Sequence, residues 1–343
     1  MSRNMSLFPG TKAASRPSGS CNNREQDAPV DTMLRHHGRY EALIRQAVAL
    51  PPMRTAIVHP CSTEALRSAV ELRDQQLLDP ILVGPERKIR TIADAAELSL
   101  EGIGIEAVEH SHAAAERAVE LASTGKVAAL MKGSLHTDEL LSAVVAPSSR
   151  LRTERRMSHV YMMDVPAYEK LLVVTDAAIN IQPDLDQKRD ICQNAVDLMH
   201  LIGVEKPLVA VLAAVETVNS RMPATLDAAA LTVMAARGQI TGAVVDGPLA
   251  FDNAISIEAA QAKCIASPVA GQADILLVPD LEAGNMLAKQ LIYFAGADAA
   301  GLVLGARVPI ILTSRADPAK VRTASAALAK LIAAKRQETG NIA

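Results

Sequence analysis

Asp246-Gly-Pro-Leu-Ala-Phe-Asp-Asn-Ala-Ile255, followed downstream by Ser267-Pro-Val-Ala-Gly-Gln-Ala-Asp-Ile-Leu-Leu-Val-Pro-Asp-Leu-Glu-Ala-Gly-Asn285, is the stretch on which the fold is read. Two short apolar runs, 242–245 and 275–278, each end in a polar cluster that carries Gly or Pro. Buried parallel strands end in this way, delivering loops to a site beyond their carboxyl ends. The loops, not the strands, are expected to carry the chemistry.

The same rhythm extends upstream. Residues 55–58 read as a strand, Ser62 as the cap of a helix to about 75, and 81–83 as a strand ending in Gly84-Pro85. Helices over 87–97 and 112–122 alternate with strands over 105–108 and 127–131, which implies a parallel sheet with helices on both faces. Beyond a polar stretch, strands at 160–166 and 171–176 precede a helix to about 201 that opens with the capping-box pair Asp184 and Gln187. Strands at 208–212 and 243–245 flank a helix over 226–236. Strands at 301–304 and 309–312 and a helix over 319–335 close the chain.

With 343 residues, 49% of them hydrophobic, the chain has apolar material for two domains. The expected fold is α/β, a two-domain, three-layer α/β/α arrangement with mainly parallel sheets. Domain I takes 33–155 plus 297–343 and domain II takes 156–296. Residues 1–32, polar and without period, are expected to form a disordered tail.

Composition removes several function classes. A net charge of -3 supplies no basic face for nucleic acid, and 2% aromatic residues without Trp supply no base-stacking platform. No apolar run reaches the length of a membrane span and no secretory signal opens the chain, so a cytoplasmic protein is expected, with Cys21, Cys61, Cys192 and Cys264 reduced. Their spacing suits no metal. Cys192 and His200, eight residues apart, read as core residues rather than nucleophile and base. Gly102-Ile-Gly104 lies at a helix-to-strand turn, the reverse of a dinucleotide fingerprint, and no P-loop is present, so no cofactor is expected.

An anionic ligand must then be held by a local cluster. Lys132-Gly133-Ser134-Leu-His136-Thr137-Asp138-Glu139 runs from a strand end into a helix, where Gly133 lets backbone amides approach a ligand and the helix start offers open N–H groups. A plainer reading has Thr137 cap the helix while Asp138 and Glu139 complement its dipole. Arg150, Arg152, Arg155 and Arg156 crowd the polar stretch near the domain boundary. They suit bidentate phosphate contacts or, equally, a solvated linker.

The blocks D-G-P-L-x-x-D-x-A, S-x-V-A-G-x-A-D and P-D-L-E-A-G-N, in this order, resemble the signature of the phosphate acetyltransferase and phosphate butyryltransferase family. So do Asp176-Ala-Ala-Ile-Asn180-Ile-Gln-Pro183 and the Thr313-Ser-Arg-Ala-Asp317 ending; the likeness covers about residues 50–335. It implies a fold of the isocitrate/isopropylmalate dehydrogenase kind with an interdomain active-site cleft. It also implies phosphotransacylase activity, in which a short acyl group, acetyl first and propionyl or butyryl next, passes between coenzyme A and inorganic phosphate. Acyl phosphate and coenzyme A would be the products and a homodimer the assembly.

The resemblance makes Ser314 the partner of the thiol and Arg315 the phosphate holder; Asp317, close enough in sequence to substitute for the family's Asp, is the candidate base, with Asp280 and Glu282 behind it. Asp317 also reads as a helix cap ahead of Pro318. Substrate contacts would come from Lys132, Gly133, Ser134, His136, Thr137, Arg152, Arg155, Asp246, Gly247, Pro248, Gly271, Glu282, Gly284, Asn285 and Lys289. Two positions depart from the family pattern: Ser142 stands where a coenzyme-A-contacting Arg is common, and Val321 where the acetyltransferases carry an Asp. The ending looks closer to the butyryltransferase branch. Two alternatives stand beside this reading, a non-catalytic acyl-CoA-binding protein and a hydroxyacid dehydrogenase of similar architecture.

Overall fold

The computed structural model describes residues 38–312 and 317–338. The expected tail over 1–32 lies outside the described residues. Among the described residues eleven strands join one sheet: β1 Met53–Val58, β2 Leu78–Gly84, β3 Gly104–Ala107, β4 Ala129–Lys132, β5 Ser158–Asp164, β6 Leu171–Thr175, β7 Leu208–Leu212, β8 Val244–Leu249, β9 Ile275–Leu277, β10 Asp298–Leu304 and β11 Ile310–Ile311. Their order is β3-β2-β1-β4-β11-β10-β5-β6-β9-β7-β8. Pairings within the two flanks are parallel, whereas β11–β10, β10–β5 and β5–β6 are antiparallel. The alternation of elements did not announce this antiparallel centre. It follows from the chain entering the second flank through β5, folding back at once into β6, and returning through β10.

The centre reverses the second flank, so the carboxyl ends of the two flanks face each other. Thr175, Val160, Leu302, Ile311 and Met131 stand on one row across the sheet. Thus β6, β11 and β4 end at about the same height, two of them rising and one descending. In open α/β sheets ligands sit beyond strand carboxyl ends where the connections diverge.

Local chemistry explains the elements flanking this row. Ser62 accepts the Ala65 amide at 3.3 Å, and Asp184 and Gln187 form the reciprocal capping box. One face of the sheet carries a continuous apolar core running from Leu66 and Leu82 through Val160 and Leu302 to Leu198 and Leu231. The opposite face carries two separate clusters, one around Leu121, Leu130 and Leu140, the other around Val174, Leu276 and Ala288. The three layers therefore have a gap on one side only. Cys192 is wholly buried in the continuous core, where burial pushes its thiol up to about 12. His200, by contrast, is exposed and bonds the Gly242 carbonyl through Nε2 at 2.8 Å.

Candidate active site

A cavity of about 710 Å³ occupies the gap between the two clusters. Lys132 and Leu135 enter it from the end of β4, His136 and Thr137 from the start of the helix Thr137–Val145, and Leu312 from the end of β11. From the other flank, Ala178 follows β6, while Asn285, Lys289 and Tyr293 project from the helix Leu281–Tyr293. His159 and Tyr161, two residues apart on β5 and so on one face of the strand, form its floor. Gly301 of β10 lies beside both rings; a side chain there would come within 3.2 Å of His159 Nε2 and of the Tyr161 ring.

Asp176 shapes the edge of the cavity. It follows β6 and is almost wholly buried, and its carboxylate accepts five N–H groups. These are the amides of His159, Ala178, Ile179 and Asn180, and the Asn180 side chain at 2.6 Å. The D-x-x-x-N spacing is thus a turn wound on one carboxylate. Asn285 donates to the Ala177 carbonyl at 3.1 Å, and a Cβ on Gly284 would stand 2.6 Å from the Asp176 carbonyl. Gly284 therefore lets the helix seat directly on this turn.

Other anticipated residues serve the scaffold. Gly133 and Ser134 donate their amides to the Val58 and His59 carbonyls, both at 2.9 Å, and a Cβ on Gly133 would meet Val58 O at 2.4 Å. The glycine serves the close approach of β1, so these two amides do not face a ligand. Thr137 is the first helical residue, not its cap; His136 holds the cap position without a side-chain bond. Asp246, Gly247 and Pro248 lie within β8 rather than in a loop beyond it. That strand is the sheet edge, three strands and roughly 14 Å from β6, and these residues do not line the cavity. Gly271, with φ of 82°, donates to the Asn253 carbonyl and packs against Ile257. It welds two of the signature blocks together.

Asp280 caps its helix by accepting the Ala283 amide at 2.8 Å, and Glu282 is exposed outside the cavity lining. Arg152 and Arg155 line a different cavity of about 750 Å³, where Arg155 pairs with Asp197. The structure does not bring them to the first cavity. Ser314 and Arg315 lie outside the described residues, yet Leu312 and Asp317, which bracket them, both line that cavity. Asp317 stands two residues ahead of the helix Ala319–Glu338. Val321 also lines the cavity, so an apolar side chain occupies the position the family pattern gives to an Asp.

Electrostatically the floor is unusual. Burial pushes the Tyr161 phenol up to about 12, helped by the charge of Asp317. Burial lowers His159 to about 4 against the opposing pull of Asp176. The imidazole is therefore neutral near pH 7. His159 and Tyr161 escaped the sequence reading, although their spacing of two at the start of a strand would have placed both on one face. Among the described residues no group of three or more His, Cys, Asp or Glu side chains suits a metal ion, and no helix is long and apolar enough to cross a membrane.

Comparison with known proteins agrees with this geometry. Residues 106–330 match the family described as Phosphate acetyl/butaryl transferase. A phosphate acetyltransferase of Rickettsia felis is 59% identical over 89% of this chain and 87% of its own length. A phosphate butyryltransferase of Clostridium beijerinckii is 40% identical over 87% of this chain and 99% of its own. A branched-chain phosphotransacylase from Enterococcus faecalis V583, 30% identical, superimposes with a TM-score of 0.72 over 81% of this chain and 99% of its own. The chain belongs to the phosphate acetyl/butyryl transferase family.

Proposed function

We propose that this protein catalyses the reversible transfer of a short acyl group, acetyl first, between coenzyme A and inorganic phosphate. The observation that carries the reading is the cavity where opposed strand ends meet, with Leu312 and Asp317 on either side of Ser314-Arg315. Identity of 59% to an acetyltransferase against 40% to a butyryltransferase favours acetyl. The cavity is read as an interdomain cleft of the isocitrate/isopropylmalate dehydrogenase kind, in a cytoplasmic homodimer.

In the forward step a phosphate oxygen attacks the thioester carbonyl carbon. The new C–O bond forms, the C–S bond breaks, and the thiolate leaves and takes up a proton. Nothing is oxidised or reduced, so the stoichiometry requires no cofactor. Arg315 holds phosphate through its paired donors, and Ser314 meets the thiol sulfur or the oxygen on which charge develops. Lys132, Lys289 and the first-turn amides of the helix Thr137–Val145 supply positive potential for anionic substrates. Asp317 takes the thiol proton in reverse.

Thiol release from acetyl-, propionyl- and butyryl-CoA, each with and without phosphate and with a chelator present, tests the reading. Phosphate-dependent release with acetyl-CoA fastest is expected. Release without phosphate would indicate a thioesterase, and no release an acyl-CoA-binding protein. Asp317→Asn is expected to lower turnover by on the order of 100-fold or more, the usual scale for a positioned acid or base, with unchanged melting. Near-normal turnover would remove Asp317 from the proton path.

A further inference from the structure

His159 is 1% exposed, yet its ring forms part of the cavity floor and its Nδ1 is buried without a hydrogen-bond partner. A buried polar group without a partner costs free energy, typically about 1–3 kcal/mol, and is retained where a ligand completes it. Everything around the ring is arranged to hold it there. The backbone N–H of His159 is fastened to Asp176 at 3.2 Å and its carbonyl to the Thr175 hydroxyl at 2.9 Å. Tyr161 packs edge-on at 4.5 Å between ring centroids, and Gly301 leaves the room beside it.

Position selects the chemistry. The exposed rim of the cavity carries Lys289, His136 and Tyr293, whereas Leu312, Leu135 and Val321 close its interior. An elongated thioester therefore inserts its small acyl end toward the floor and leaves its charged end at the rim. This argument rests on the phosphotransacylase reading above. We infer that His159 is a catalytic residue of the reaction, a neutral imidazole that donates a hydrogen bond from the cavity floor to the thioester carbonyl oxygen as negative charge develops on it.

The charged groups near the ring are Asp176 behind β6, Asp317 beyond Tyr161, and Lys132 and Lys289 across the cavity. Burial outweighs the charge of Asp176, so the ring stays uncharged near pH 7 and spends no proton. No bond to His159 forms or breaks in the step.

The test compares the full-length wild type with His159→Phe and His159→Gln. Removing one donor to a developing oxyanion costs on the order of 100- to 1000-fold in kcat, so His159→Phe is expected to lose that much while KM for phosphate stays near wild type. Gln, which keeps an N–H donor of similar reach, is expected to recover part of the loss. Near-wild-type kcat in His159→Phe would overturn the inference. Histidine-selective nitrogen-15 NMR gives an answer that does not depend on turnover, with the His159 signals assigned as those missing from His159→Gln. A neutral ring at pH 6 whose nitrogens shift on addition of acetyl-CoA is expected; a cationic ring, or no shift, would sink the proposal. If the wild type itself releases no thiol with phosphate, the parent reading fails, and the acetyl-CoA shift still decides whether His159 contacts a thioester.

Discussion

Replacing Arg315 with lysine is expected to lower phosphate-dependent thiol release roughly 10- to 100-fold without moving the melting temperature. Lysine keeps the charge and loses the paired donor geometry that matches phosphate. One hydrogen bond to an ionised group is worth about 1.5–3 kcal/mol of differential stabilisation, which sets the size of the loss. The deficit should grow as phosphate is lowered, because the weakened contact is to phosphate. Should Arg315→Lys keep wild-type turnover and phosphate saturation, the site is assigned to the wrong residues, however well the cavity fits.

The second large effect is structural. Asp176→Asn keeps the volume of the side chain but puts an NH₂ group where a carboxylate oxygen accepts N–H donors. At least two of the five contacts face donor against donor, on a side chain that is almost wholly buried. Breaking buried hydrogen bonds to a charged group in this way costs on the order of 3–5 kcal/mol. At about 1–2 °C per kcal/mol for a chain of this size, the melting temperature is expected to fall by roughly 5 °C. Turnover should fall too, since the same turn seats Ala178 and the Asn285 helix and anchors the His159 backbone. A melting temperature within the error of the wild type would show that the turn does not depend on the carboxylate.

The pattern of correct and incorrect expectations follows the range of the interactions involved. Ser62, Asp184 with Gln187, and the Gly102 turn were legible because a cap or a turn is decided by residues within four positions. The signature blocks were legible as a family pattern, but the roles given to their glycines were not. Gly133, Gly271 and Gly284 each admit a neighbouring backbone or side chain that is remote in sequence, so their purpose is visible only once that neighbour is in place. Asp246-Gly-Pro-Leu249 read as a loop because Gly and Pro interrupt strands; pairing with β7 through a bulge holds it as an edge strand.

By itself, then, the sequence determined the elements, their alternation, the apolar core material and membership of the family, all of which rest on short-range patterns that survive without knowledge of the fold. Tertiary structure alone decided that the two flanks oppose each other through an antiparallel centre, since strand polarity is set by pairings such as Val303 opposite His159, more than a hundred residues apart. It also decided the character of the floor. A histidine in a strand carries no sign of its charge state, and His159 is neutral near pH 7 because burial outweighs the charge of Asp176, a desolvation no local pattern encodes.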